Sequence, residues 1–281
     1  WVGDYAQQFP DRYDNPQWEQ PDLIVIWGNN PVVSNSDGLY GHWVVDCMKR
    51  GTKAIVIDPR LTWLASRAEL FLQIRPGTDG ALALGMANYL VENDLYDHEF
   101  VDLWCYGFEE LAERARDYPL DEVAEITEIP AEEIAAAARR IGAAERAILQ
   151  WGVAIDQIKE TIPTAQAVLA LFEITGNIGK PGTMQQPASI LNYAAGWGSE
   201  FLTPEQEAKR IGQEAHPLIK MGFQECVTDD YIRCLETGEP YPIKVAWMQT
   251  TNPLACTGVD AKRTLAAHMN IDTIVVVDLF M

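Results

Sequence analysis

Apolar residues in this chain gather into short continuous runs that stop abruptly at polar turn residues. Residues 22–27 run into Gly28-Asn29-Asn30-Pro31, residues 53–57 into Asp58-Pro59-Arg60, and residues 70–74 into Arg75-Pro76-Gly77-Thr78-Asp79. Residues 146–151 run into Gly152. Unbroken apolar runs suit strands covered on both faces, as in parallel sheets; a half-exposed strand would alternate. Helical spacing between the runs predicts helices over 36–50, 62–68 and 79–93. Residues 96–145 read as helical, with Pro130 in a first-turn position ahead of Glu132 and Glu133. Residues 163–175 read as a buried helix stopped by GNIGKPG. Strands alternating with helices predict βαβ units and a doubly wound parallel α/β sheet.

Residues 1–21 and 183–205 read as loop, and a long loop in a compact fold marks a functional segment or a junction. The expected division is a first lobe over 1–184 and a second over 185–281. The second lobe repeats the opening device. A strand over 243–249 enters Thr250-Thr251-Asn252-Pro253, a helix fits 258–268, and a strand over 272–277 stops at Asp278. Pro31 and Asp58 are 27 positions apart, Pro253 and Asp278 are 25 apart, so the layout strand–Asn-Pro–helix–strand–Asp occurs twice.

In open parallel sheets, ligands bind beyond the carboxyl ends of the strands. The loops 28–34, 58–60, 76–79 and 152–157 all follow such ends and are expected to line one crevice. Asn30 offers donors and acceptors, and Pro31 fixes its turn. Asp58 stands where an acid accepts from a ribose hydroxyl, and Asp79 could accept from a purine N–H edge. Helix N-termini after 34 and 78 offer backbone N–H groups to a diphosphate. Taken singly, each feature has a plainer role: Asp79 or Thr78 as a helix cap, Asn30 as a turn residue, Asp58-Pro59 as a strand stop. The nicotinamide-dinucleotide pattern GxGxxG is absent. The residues by themselves point to a nucleotide-like ligand, with two related sites.

Composition narrows this further. The formal charge of −20 argues against nucleic acid and anionic membrane surfaces as partners. No apolar run is long enough for a membrane-spanning helix. The five cysteines have no CxxC spacing and read as reduced, mostly buried thiols. His42 and His268 fall in predicted helices as structural residues, and His98 and His216 on the surface. The chain starts Trp1-Val2 and stops just after a strand, so it reads as a central piece of a longer protein, with compartment left open between bacterial cytoplasm and export.

The ordered set WGNNP, VIDPRLT, IRPGTDGALALGMANYLVENDLYD, YGFEEL, EIPAEEIAAAAR, QWGVAIDQ, ITGNIGKPG, TTNPL and VVVDLF resembles the molybdopterin oxidoreductase family, the relatives of dimethyl sulfoxide reductase and formate dehydrogenase. The resemblance is continuous over 22–182 and resumes over 243–281. It implies two related Rossmann-like lobes and a bis-molybdopterin guanine dinucleotide cofactor carrying molybdenum or tungsten. By motif, Gly28, Asn30, Pro31 and Ser34 would sit against one dinucleotide. Asp58 and Arg60 would hold its nucleoside end, and Pro76, Gly77 and Asp79 would frame the guanine. Gly152 and Gln157 would approach the pterin. Asn252, Pro253 and Leu254 would make the matching contact to the second dinucleotide. The chain departs from the family pattern in lacking the cysteine cluster of an iron–sulfur segment, expected outside it together with the metal ligand. Where many relatives carry an RGQNN-like segment, it reads GTMQQPASILN, with Gln185 or Gln186 as a substitute. The implied activity is two-electron oxygen-atom or hydride-equivalent transfer on a small-molecule substrate, with an iron–sulfur electron-transfer subunit as partner. The alternatives are redox-neutral hydration or hydroxyl transfer on the same scaffold, and a structural subunit without cofactor.

Overall fold

The structure is a computed structural model that describes residues 2–3, 19–34, 39–185, 201–216, 226–257 and 260–279. The chain divides into two compact units, Trp1–Ala188 and Ser189–Met281.

The first unit contains, in order, β1 (Val2–Gly3), β2 (Leu23–Trp27), α1 (Pro31–Ser34), α2 (Leu39–Lys49), β3 (Lys53–Ile57), a 3-10 turn at Ala65–Arg67 and β4 (Leu70–Leu72). There follow α3 (Asp79–Glu92), α4 (His98–Trp104), α5 (Phe108–Ala115), α6 (Leu120–Thr127), α7 (Ala131–Gly142), β5 (Ala147–Trp151), α8 (Val153–Asp156), α9 (Thr161–Ile174) and β6 (Met184–Gln185). Its sheet has the order β4-β3-β2-β5, all parallel. Strands are added in one direction from β2 through β3 to β4, and β5 then joins on the other side of β2; this reversal of winding is the doubly wound arrangement the apolar runs predict. β2 is buried along its whole length, from Leu23 to Trp27. Such burial requires every backbone polar group to be paired, which neighbours on both sides provide. α3 and α9 pack on each other, and α3 also contacts α5, α6 and α7.

The differences from the sequence expectations have local causes. The span 96–145 is four helices. It breaks at Gly107, which takes a left-handed φ of 85°, at Pro119, and at Glu128-Ile129-Pro130, where Glu128 is left-handed at 62°. Pro130 is the N-cap of α7, one position before its first turn. β4 stops at Leu72, two residues short of the expected limit, and the next residue, Gln73, donates its side-chain amide to the Pro59 carbonyl at 3.0 Å. The segment expected as a helix over 62–68 is only the 3-10 turn. α9 begins two residues before Pro163, which the first turn accommodates because its N–H groups have no intrahelical acceptor. Val2–Gly3 and Met184–Gln185, expected as loop, pair as a short antiparallel ladder. The loop expected over 183–205 otherwise falls mostly outside the described residues.

The second unit contains α10 (Pro204–Glu207), α11 (Thr228–Thr237), β7 (Val245–Gln249), a π-helical turn at Pro253–Thr257, α12 (Ala261–His268) and β8 (Thr273–Val277). β7 and β8 pair in parallel. A small cluster of Ile232, Leu235, Ala267 and Ile271 holds α11 against α12. His268 is buried there and structural: its Nδ1 is 2.7 Å from the Thr264 carbonyl, and its Nε2 is 3.3 Å from the Tyr231 hydroxyl. His98 and His216 are surface residues that pair with Asp94 and Asp230. None of the five cysteines is in a disulfide; Cys47 and Cys234 are buried, Cys105 and Cys226 half-buried, and Cys256 is exposed.

Candidate functional site

Four loops follow the carboxyl ends of the parallel strands of the first unit, and hydrogen bonds tie them together. Gly28 N–H extends the β2–β3 ladder by donating to Ile57 C=O at 2.8 Å. Asp58 N–H donates to Leu72 C=O at 3.3 Å, and Gly152 N–H to Trp27 C=O at 3.0 Å. Asn29 donates its side-chain amide to Trp151 C=O at 3.1 Å. The end of β2 is therefore the centre of the group, bonded to the ends of β3 and β5 on either side.

Gly28 is left-handed, with φ at 58°, and a Cβ there would come within 2.5 Å of the Ala154 Cβ. Gly152 is extended, so conformation alone would admit any residue, but a Cβ there would collide with Gly28 O. The 28–30 and 152–154 loops therefore approach each other as bare backbone, the condition under which glycine is required. Asn30 closes the first loop. Its carbonyl accepts from Val33 N–H and Ser34 N–H, both at 2.9 Å, and so starts α1, with Pro31 buried as the first helical residue. Asn30 Oδ1 is buried and has no hydrogen-bond partner among the described residues. Ser34 is exposed at the end of α1.

Asp58 is 5% exposed directly after β3, and Oδ1 accepts from Arg60 N–H at 2.8 Å. The Arg60 side chain stays largely exposed, its Nε 4.0 Å from that carboxylate. Pro76 and Gly77 are exposed, and Gly77 has open space around the position of a Cβ. Pro59 and Pro76 border a depression of about 600 Å³ whose other walls include Phe71, Gln73 and Glu133. Gly28, Asn30 and Gly152 do not line it. Gln157 is exposed and ends α8.

Asp79 is the first residue of α3, and neither it nor Thr78 caps the helix through its side chain. Thr78 Oγ1 donates instead to Arg75 C=O at 2.7 Å. Asp79 is 5% exposed, and Oδ1 accepts the indole N–H of Trp27 at 2.8 Å. Burial raises the Asp79 pKa above the ordinary carboxylate range, and the indole hydrogen bond works against that rise. Trp27 escapes a sequence reading that treats 22–27 as uniform core. The available signal is that a buried indole N–H needs an acceptor.

In the second unit, Asn252, Pro253 and Leu254 follow the carboxyl end of β7, with Asn252 and Leu254 exposed. Asn252 C=O accepts from Ala255 N–H at 3.1 Å and Cys256 N–H at 2.9 Å, and Asn252 Oδ1 also accepts from Ala255 N–H at 3.1 Å. Among the described residues, no group of three or more His, Cys, Asp and Glu side chains is arranged to hold a metal ion. No helix among them is long and apolar enough to cross a membrane.

The family model described as molybdopterin oxidoreductase matches residues 4–281. The chain is 34% identical to acetylene hydratase of Syntrophotalea acetylenica over 263 residues, covering 83% of this chain and 35% of that protein. It is 26% identical to formate dehydrogenase H of Escherichia coli (strain K12) over 292 residues, covering 94% of this chain and 38% of that protein. The solved structure of acetylene hydratase from Pelobacter acetylenicus superimposes with a TM-score of 0.76 at 30% identity, covering 92% of this chain and 38% of that one. The chain thus spans well under half the length of these relatives. With the fold shared and the match running from residue 4 to the last residue, this chain belongs to the molybdopterin oxidoreductase family.

Proposed function

We propose that the chain is the central part of a bis-molybdopterin guanine dinucleotide enzyme carrying molybdenum or tungsten. The observation that carries this is Asn30. A buried carbonyl oxygen without a donor costs on the order of 1–3 kcal/mol, and here it sits in a loop whose backbone is otherwise bonded to its neighbours. A polar ligand seated on the loop would supply the missing donor. Gly28 and Gly152 let the 28–30 and 152–154 loops pack on each other as bare backbone, which fixes the loop that carries that atom. Gly28, Asn30, Pro31 and Ser34 hold one dinucleotide, Asp58 and Arg60 its ribose end, and Pro76, Gly77 and Asp79 its guanine. Gly152 and Gln157 face the pterin. Asn252, Pro253 and Leu254 meet the second dinucleotide.

The bound cofactor supplies two-electron oxygen-atom or hydride-equivalent transfer on a small molecule, and an iron–sulfur subunit relays the electrons. The residues of this chain bind and orient. The test is elemental analysis of the full-length protein together with fluorescence of the oxidised pterin extract. Molybdenum or tungsten with extractable pterin is the expected result. Protein free of both would return it to a structural subunit.

A second reading, redox-neutral hydration, has its own support. Acetylene hydratase is similar to this chain both in sequence and, at a TM-score of 0.76, in fold. Turnover of an unsaturated small molecule by the full-length enzyme without an electron donor or acceptor would favour hydration. Strict dependence on one would favour oxidoreduction.

A further inference from the structure

Trp27 is fully buried at the end of β2, and both of its backbone neighbours are fixed. Its carbonyl accepts from Gly152 N–H, and the next residue donates to Ile57 C=O. Its indole crosses to the first residue of α3 and donates to Asp79 Oδ1 at 2.8 Å. An indole N–H donates only, so this bond forms only while that oxygen is an acceptor. Asp79 Oδ2 makes no hydrogen bond to another residue among those described. One oxygen is thus held by another residue and the other is not; the further hydrogen bond to the carboxylate comes from Asp79's own backbone N–H, and the turn two residues before it, at Gly77, is exposed.

We propose that Trp27 is the positioning residue for base selectivity at the nucleotide end of the site, holding Asp79 so that its carboxylate accepts from the paired N1–H and 2-amino donors of guanine. The proposal rests on the reading, given above, that Asp79 meets the guanine. Trp27 touches no ligand itself. Its contribution is to fix the rotation of the carboxylate and to keep it an acceptor in a buried setting. Hypoxanthine has the same ring and N1–H but lacks the 2-amino group, so the ratio of guanine to hypoxanthine binding reports the second hydrogen bond and little else.

The experiment measures, by calorimetry on the full-length protein prepared without cofactor, the affinities of guanosine diphosphate and inosine diphosphate. Wild type is expected to favour the guanosine nucleotide by about tenfold or more, the size of one hydrogen bond to a charged group. Trp27→Phe is expected to bring that ratio near one while leaving inosine diphosphate affinity within about twofold. Because Trp27 is buried, a second replacement uses benzothienylalanine, which keeps the bicyclic shape and exchanges the N–H for sulfur. Asp79→Asn separates the two claims. If Asp79→Asn or wild type shows no change or no preference in the ratio, the placement of guanine on Asp79 fails, and the role of Trp27 with it. If Asp79→Asn abolishes the preference and the benzothienyl protein retains it, the Trp27 proposal alone is overturned. A purely structural role would weaken both nucleotides equally, leaving the ratio unchanged, and would also overturn it.

Discussion

The two strand–Asn-Pro devices share a backbone and differ in what surrounds it. In both, the residue after the strand is left-handed: Gly28 at 58° and Thr250 at 51°. In both, that residue donates its N–H to the last carbonyl of the neighbouring parallel strand, Ile57 at 2.8 Å and Val277 at 3.0 Å. In both, the asparagine carbonyl accepts two N–H groups and starts a helical turn. The surroundings then diverge. β2 lies wholly in the core, whereas Val245 and Trp247 of β7 are 62% and 65% exposed. Asn30 Oδ1 is buried and unpaired, whereas Asn252 Oδ1 is occupied with Ala255. The same chain path therefore leaves a polar atom waiting for a partner in one unit and uses it as a local cap in the other. Hydrogen bonding of the backbone specifies the device, and its surroundings decide whether the side-chain oxygen is capped from within the chain.

The contrast in burial gives the largest expected effect. Ile26→Ala removes fully buried side-chain volume from β2 and should cost about 2–5 kcal/mol, read as a fall in the denaturant midpoint of the chain. Val276→Ala in β8, 60% exposed, should stay within about 0.5 kcal/mol. Equal costs would mean that the two sheets are not differently covered.

Exchanging the turn residues comes next. Gly28→Thr combines left-handed strain, about 1–2 kcal/mol, with overpacking against Ala154, about 1–3 kcal/mol. Thr250→Gly relieves the strain of a β-branched residue at positive φ and should stabilise by up to about 1 kcal/mol, after the entropic cost of glycine. Thermal or denaturant melts of both variants check the pair, and loss of stability in Thr250→Gly would break the symmetry.

The asparagines should respond in opposite ways. Asn252→Ala loses a cap and should cost about 0.5–1 kcal/mol. Asn30→Ala removes a buried orphan and should leave the cofactor-free protein about as stable as wild type, while lowering its cofactor content. Melts and metal analysis read the two outcomes separately.

The smallest effect is the pH dependence set by Asp79. Its folded pKa is raised, so the folded state holds that proton more tightly than the unfolded state. Its stabilising contribution is fully present below the unfolded carboxylate value of about 3.9 and is lost as pH rises through the raised folded value. Asp79→Asn should flatten that part of the stability–pH curve of cofactor-free protein, and an unchanged slope would contradict the cause assigned.

Much of the first unit was legible because its chemistry is local. Five-residue apolar runs bounded by turn residues are too short for buried helices and suit strands covered on both faces, and β2, β3 and β5 lie within a residue of their expected limits. The paired layout strand–Asn-Pro–helix–strand–Asp survives as the shared backbone path. What escaped reading depends on distance in sequence or on geometry with no composition cue. Asp79 looked like a cap, yet its partner is Trp27, 52 positions earlier. Gly152 read as the start of a crevice-lining loop, and only the packed loops reveal that its missing Cβ is what lets Gly28 approach. α11 has an amphipathic pattern that the reading passed over between less regular neighbours. Thr250 was invisible as a strained residue, because nothing in its type announces a left-handed conformation.

The central claim is that two similar backbone devices serve two similar nucleotides. Acid release and chromatography of guanine nucleotide from the metal-loaded full-length protein test it most directly. The account predicts two guanine nucleotides per molybdenum or tungsten atom. One per metal atom, or none, would contradict it.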